Sequence, residues 1–344
     1  MKLRVGLVGL GDQWETRHAP ALRAMPHRFE VAAVCCEVFE RARKVADQFE
    51  ATAAHSFRNL VDRPDIDAIL YLSPQWFGPL PILAACENGK AVYTSAALDV
   101  TPEQALEIRN RVEASGIAFM AELPRRYSPA TLRLKELIAT RIGKPQLLFC
   151  HQRLPLESQS DFRRKGKMCP LVWRNLMELV DWCRYLVGMD PESVVSSIFQ
   201  NRVPGNEEFY QMVNLDFPVD DSDESNIKPM AQLSVGHYIP QRWTDALSFR
   251  RPPSVQIRCQ QGMAFIDLPS NLAWFDDAGQ HNESLESERA VGEQMLDQFY
   301  RSVTSLLRKN DDPENAYRAM KIVMLAHESA STGNRMPVGF DAQQ

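Results

Sequence analysis

Leu3-Arg4-Val5-Gly6-Leu7-Val8-Gly9-Leu10-Gly11-Asp12-Gln13-Trp14 decides how the first third of this chain folds. Leu3–Val8 is a short apolar run of the kind that lies buried inside a parallel sheet. Two glycines follow it at once, and a helix-like stretch follows them, the context a dinucleotide-binding loop requires. Gly9 would make the tight turn, and Gly11 would let the backbone approach a pyrophosphate. The free N–H groups and dipole of the next helix would favour that anion. The predicted phosphate loop therefore comprises Gly9, Leu10, Gly11, Asp12, Gln13 and Trp14. A strand-to-helix turn that binds nothing would carry the same two glycines. Trp14 stands where such loops place a third glycine for close helix–strand packing. An indole would obstruct that packing, so the loop is expected to open differently.

Outward from this loop, short apolar runs alternate with amphipathic stretches through residue 122. Residues 3–8, 31–35, 68–72, 91–94 and 117–121 read as buried strands, and 40–49, 80–87 and 102–114 as helices. Thr101-Pro102-Glu103-Gln104 combines a capping Thr, Pro at the first helical position and Gln at the third, which predicts a helix start. Such alternation implies a parallel sheet covered on both faces. After Pro124 the rhythm changes. Helices are expected at 130–139 and 171–187, with an apolar run at 146–150 between them. Residues 194–199, 209–217, 230–238 and 255–266 are β-like, interrupted by the acidic stretch Asp220-Asp221-Ser222-Asp223-Glu224, read as a solvated hairpin loop. Two helices, 293–307 and 313–329, close the chain.

The fold class is therefore α/β. An N-terminal Rossmann domain with a parallel sheet, residues 1–122, joins an α+β C-terminal domain, residues 123–344, with a largely antiparallel open sheet. The terminal helices are free to pack back on the first domain. The open sheet face needs cover, which suggests a homo-oligomer, a dimer at least.

A chain of 344 residues is long enough for two cores. Its net charge of −5, with no large basic block, does not suggest a nucleic-acid surface. No apolar run approaches the roughly 20 residues of a membrane helix, and the N-terminus has no signal-peptide pattern. The 7 cysteines are odd in number and lack a CxxC pair. Most sit in apolar stretches, so reduced, buried thiols in the cytoplasm are expected. The 7 histidines form no HxxxH or HExxH pattern, so no metal site is expected.

Several rows of residues together resemble the Gfo/Idh/MocA family, the glucose–fructose oxidoreductase and inositol dehydrogenase group. Ser73-Pro74-Gln75 followed by 83–90 is similar to its TPN segment and next helix. Pro124-Arg125-Arg126-Tyr127-Ser128-Pro129 is similar to its NRRF-x-P domain junction, followed by Ile142-Gly143-Lys144. Ser331-Thr332-Gly333 resembles its closing Ser-x-Thr-Gly. The resemblance implies an NAD(P)-linked oxidoreductase acting on a sugar, polyol or related carbonyl compound. Against the family's GxGxxGxxH start, this chain has one extra residue before His18, so Trp14 and the insertion together remodel the loop. At the end of the second strand the family places an Asp on the adenosine ribose. Here that position is Cys36, and the acid has moved one place to Glu37. A carboxylate accepts hydrogen bonds from ribose hydroxyls and repels a 2′-phosphate, which favours NAD over NADP. A solvated Glu at a strand end is the alternative.

The family's usual chemistry is missing. Its Glu-Lys-Pro triplet, whose Lys serves in proton transfer, reads Ser95-Ala96-Ala97. Alanine has no proton to exchange, and Ser95 is left as a pocket-lining donor. The family's Asp-x-Gly-x-His-x-x-Asp helix retains only Asp181, with Arg174, Leu176 and Glu178 at the other three positions. On this helix Val172, Leu176, Leu179, Val180, Cys183 and Leu186 form an apolar stripe at 3.6-residue spacing. Arg174, Glu178, Asp181 and Tyr185 form a second stripe that would face a cleft if the first faces the core. Glu178 and Asp181 are thus the candidate catalytic residues, and an Arg174–Glu178 pair across one turn is the plainer reading. His151, Arg153, Arg163, Arg164, Lys165 and Lys167 make the approach to this helix basic, fit for an anionic or hydroxylated ligand or simply solvated. An enzyme that relies on NAD for the hydride remains one reading. A catalytically inactive dinucleotide-binding sensor or regulator with a small-molecule effector is the other, and altered chemistry with tightly held NAD is a third.

Overall fold

The computed structural model describes residues 2–94, 100–154, 171–203, 206–219, 226–243, 245–305 and 312–340. The chain divides into two compact units. One comprises Met1–Pro124 and Arg289–Tyr317, the other Arg125–Glu288 and Arg318–Gln344.

The first unit is built on six parallel strands. They are β1 (Leu3–Val8), β2 (Phe29–Cys35), β3 (Thr52–Ala53), β4 (Ala68–Tyr71), β5 (Ala91–Thr94) and β6 (Phe119–Ala121), in the order β3-β2-β1-β4-β5-β6. Their apolar runs are buried because helices cover such a sheet on both faces; Leu3, Val5, Leu7 and Val8 are all fully inaccessible. The connecting helices are α1 (Ala19–Ala24), α2 (Phe39–Gln48), α3 (Phe57–Val61), the single turn α4 (Pro74–Phe77), α5 (Leu80–Glu87) and α6 (Pro102–Ser115). The predicted capping box at Thr101 is present: its hydroxyl accepts from the Gln104 N–H, and the Gln104 side chain accepts from the Thr101 N–H. The helix expected after the glycine loop is α1, whereas the sequence reading missed α3, α4 and β3. Each is short, with too few residues to show a hydrophobic period.

The second unit carries nine strands. They are β7 (Pro145–Arg153), β8 (Ser193–Val203), β9 (Asn206–Asp216), β10 (Met230–His237), β11 (Val255–Cys259), β12 (Met263–Asp267), β13 (Asn271–Asp276), β14 (Gly279–Ser284) and β15 (Met336–Pro337). Their order is β14-β13-β12-β11-β7-β10-β9-β8-β15, antiparallel throughout except that β7 and β10 run parallel. The stretch 255–266 forms a hairpin, because Gln260–Gly262 turns the chain. Strands β13 and β14 escaped the sequence reading, the latter because Gly279–Ser284 is almost wholly polar.

Helix α7 (Pro129–Leu137) runs on into a π-helical turn at Ile138–Ile142, and α8 spans Leu171–Val187 as predicted. Short α9 (Asp245–Ser248) follows β10. Helix α10 (Val291–Thr304) packs within the first unit, with Phe299 against Tyr93, ring centroids 5.6 Å apart. Helix α11 covers Asp312–Thr332.

The apolar stripe of α8 packs on one face of the nine-stranded sheet, where Leu148, Cys150, Leu233, Val235, Val213 and Leu215 are inaccessible. Among the described residues, the opposite face exposes Phe199, Met212, Met230 and Phe275 at 49, 41, 43 and 38%. The acidic stretch 220–224 lies outside the described residues. None of the described helices is long and apolar enough to cross a membrane.

Candidate functional site

In the first unit, the strand order reverses between β1 and β4, so the loops leaving these strands diverge and open a crevice at the carboxyl edge. The Gly9–Trp14 loop leaves β1 there, and Ser73 leaves β4. They are joined: the Gly11 N–H donates to Ser73 Oγ at 2.8 Å, and the Gly9 N–H donates to the Cys35 carbonyl at 2.7 Å. Both glycines have positive φ, 71° and 49°. A Cβ at Gly9 would lie 2.4 Å from Ser73 Cβ, and one at Gly11 would lie 2.2 Å from the Leu72 carbonyl. The loop backbone thus rests directly on the end of β4, and only glycine permits it.

Trp14 behaves differently from the sequence expectation. Its indole does not prise the loop open but turns inward, 1% exposed, with the Phe49 ring 5.9 Å away. The inserted residue is absorbed by a π-helical turn, Trp14–His18, in which the His18 N–H reaches back five residues to the Gln13 carbonyl at 3.2 Å. Such turns take up one extra residue without breaking the helix. Asp12 and Gln13 remain exposed at the tip.

At the end of β2, Cys36 is buried with its thiol directed at the Val38 carbonyl, and burial pushes that thiol up from its ordinary range. Next to it Glu37 is half-buried, and its Oε1 is shielded from solvent without a hydrogen-bond partner among the described residues. A buried carboxylate oxygen left unsatisfied is costly unless a ligand donor completes it. Glycines that admit a close-lying backbone, a helix N-terminus behind them and an orphaned acceptor at the strand end fit an adenine dinucleotide. The backbones of Pro74 and Gln75 form the first residues of α4 beside Ser73. Ser95, with Ala96 and Ala97, lies outside the described residues.

Sequence reasoning missed one cluster of this edge. Glu122, one residue beyond β6, is 4% exposed. Its Oε1 lies 2.5 Å from Arg17 Nη1 and 3.3 Å from His18 Nε2. Burial would raise this carboxyl, but His18 and Arg17 outweigh it and hold it below the usual carboxylate range. The available signal was an acid ending an apolar strand at the ligand edge of a parallel sheet.

In the second unit, the twin arginines of the junction grip α8. Arg126 makes a bidentate ion pair with Asp181, Nε to Oδ2 at 2.6 Å and Nη2 to Oδ1. Asp181 is 1% exposed, which corrects the expectation that it stands open beside Glu178. A buried carboxylate survives because a guanidinium fork answers both oxygens. Burial pushes Asp181 up, and Arg126 and Arg184 pull it back only in part. Arg125 Nε lies 3.4 Å from Glu178 Oε2, and its Nη2 donates to Gln152 Oε1 at 2.6 Å. Gln152 Nε2 in turn donates to Asn175 Oδ1 at 2.7 Å. Glu178, Gln152 and Asn175 are half-buried, so this polar face can meet a hydroxylated ligand. His151 is tied to Ser234 Oγ at 2.6 Å, and burial followed by Arg153 lowers its pKa. Arg153 Nη1 donates to the Phe249 carbonyl at 3.0 Å. Arg163, Arg164, Lys165 and Lys167 lie outside the described residues. Among the described residues no His, Cys, Asp and Glu cluster could hold a metal ion.

The first unit's strand order and glycine loop define a dinucleotide-binding Rossmann domain. Residues 3–123 match the sequence profile of the GFO_IDH_MocA oxidoreductase family, NAD-binding Rossmann fold. It is 32% identical over 164 residues to inositol 2-dehydrogenase 3 of Saccharopolyspora erythraea, 45% of this chain and 46% of that protein. Over 156 residues it is 33% identical to inositol 2-dehydrogenase of Acidothermus cellulolyticus, 44% of this chain and 46% of that one. The match thus spans about half the length of these relatives. Levoglucosan dehydrogenase in complex with NADH and L-sorbose shares the fold at TM-score 0.80 and 18% identity, covering 98% of this chain and 99% of that one. An oxidoreductase of Thermotoga maritima does so at 0.78 and 18%, covering 98 and 99%.

Proposed function

We propose that this chain transfers a hydride between NAD(H) and a sugar, polyol or related carbonyl compound. The observation that carries the reading is the buried Oε1 of Glu37, which has no hydrogen-bond partner among the described residues, beside a loop that only glycine can build. Residues 9–14 would bind the pyrophosphate through backbone N–H groups, and Glu37 would accept from the ribose hydroxyls. NAD supplies or accepts the hydride when bound. On the second unit, Glu178 would exchange a proton with a substrate hydroxyl through its carboxylate oxygens, oriented by Arg125. Asp181 would position rather than react, holding Arg126 in place. The inositol dehydrogenases among its relatives support a cyclic polyol or sugar as substrate class.

With Ser95-Ala96-Ala97 in place of the family's lysine triplet, turnover should be slow, since a general acid–base group contributes ~10²–10⁴-fold. Mass spectrometry under native conditions tests whether the purified protein retains a nucleotide. An NADH absorbance panel over inositols, hexoses and their acids then tests turnover, expected below about 1 s⁻¹. Tight nucleotide binding with no turnover on any substrate would replace this reading with that of a binding protein.

The exposed face with Phe199, Met212, Met230 and Phe275 supports a second copy of this chain as its cover, because one identical face can meet another about a two-fold axis. Sedimentation of wild type against Met212→Lys tests this; a monomer at micromolar concentration in both would refute it.

A further inference from the structure

We infer that Glu122 is the positioning residue of the phosphate loop, performing by charge what the absent third glycine performs by close packing. The inference rests on the dinucleotide reading above and extends it to a residue outside the loop.

The inserted residue makes Trp14–His18 a π-helical turn, and such a turn is less stable than an α-helical one. Something must hold it. Its first residue is held by packing, with Trp14 inaccessible near Phe49. Its last two are held by one buried oxygen, Glu122 Oε1, which meets both Arg17 Nη1 and His18 Nε2. From a further side, helix α10 presses on the same turn at Gly292, where a Cβ would lie 2.8 Å from the Arg17 carbonyl. Glu122 is itself fixed, since its N–H donates to the Thr94 carbonyl at 2.9 Å at the end of β5. A carboxylate 4% exposed keeps its charge only because these two side chains answer it. Strand β6 therefore dictates where the turn stands, and the turn dictates where the N–H groups of residues 12–15 point.

The experiment is Glu122→Gln, which keeps the shape and removes the charge. Calorimetric titration with NADH and with ADP-ribose is expected to show at least tenfold weaker binding of both. Amide hydrogen exchange should speed up in the peptide covering residues 9–18 and stay unchanged over β1 and β4. If the glutamine variant does not fold, Arg17→Gln breaks the same contact from the more exposed side and is expected to give the same pair of results. Unchanged affinity with unchanged exchange would overturn the inference. So would tighter binding, which would mean that Glu122 merely withholds Arg17 from the phosphates. Absence of nucleotide binding by the wild type would instead overturn the dinucleotide reading itself, and the exchange result would then show only a structural anchor.

Discussion

Asp181→Asn removes one charge from a place where water cannot replace it. Asp181 is 1% exposed, and the side chains of Arg126 and Arg184 beside it are 13% and 7% exposed. The carboxylate answers Arg126 with both oxygens and Arg184 Nη1 with one, at 3.7 Å. An amide in the same place offers one acceptor and points an N–H₂ group at a guanidinium donor. Arg184 keeps Asp190, 2.5 Å from its Nε, so most of the loss falls on Arg126. Removing one partner of a buried pair typically costs ~3–5 kcal/mol, because the other charge stays desolvated. For a unit of this size, each kcal/mol corresponds to about 2–4 °C, so the midpoint should fall by roughly 6–20 °C. Differential scanning calorimetry at neutral pH measures it. The double replacement Arg126→Met with Asp181→Leu should recover much of the loss, since apolar pairs of similar volume often match buried ion pairs. A single-variant loss under about 1 kcal/mol, or a double variant worse than the single, would refute this account of the junction.

Glu37→Ser should narrow the preference for NADH over NADPH by about tenfold or more, equal to ~1.4 kcal/mol; an unchanged ratio in calorimetric titration would remove Glu37 from the ribose. Where activity is found, Glu178→Gln should lower kcat by about a hundredfold, and an unchanged kcat would leave Glu178 as a partner of Arg125 only. Glu122, held below the usual carboxylate range by His18 and Arg17, should stabilise the fold above its unfolded value near ~4.3. That stability should be lost as pH falls through the lower folded value, so acid titration of Glu122→Gln should show a shallower loss over this window than wild type. Equal slopes would show that Glu122 is not ionised in the folded chain.

The sequence by itself determined the parallel sheet, the glycine loop and the long helix α8. These follow from local signals: apolar runs bounded by turns, a capping box at Thr101, and a 3.6-residue stripe from Val172 to Leu186. Each is set by interactions within a few residues of chain, so periodicity records them. The place of Glu37 just past the end of β2 was legible too, because the apolar run stops there. Tertiary structure alone decided the fate of the charges. Nothing local tells Glu122 to meet Arg17, 105 positions earlier, or Arg126 to bury itself against Asp181, 55 positions later. The partner that makes burial of a charge tolerable comes from another element, and sequence spacing carries no record of it. Trp14 follows the same rule. Read along the chain it obstructs the loop, whereas in the fold a hydrophobic slot near Phe49 and a π-helical turn accommodate it.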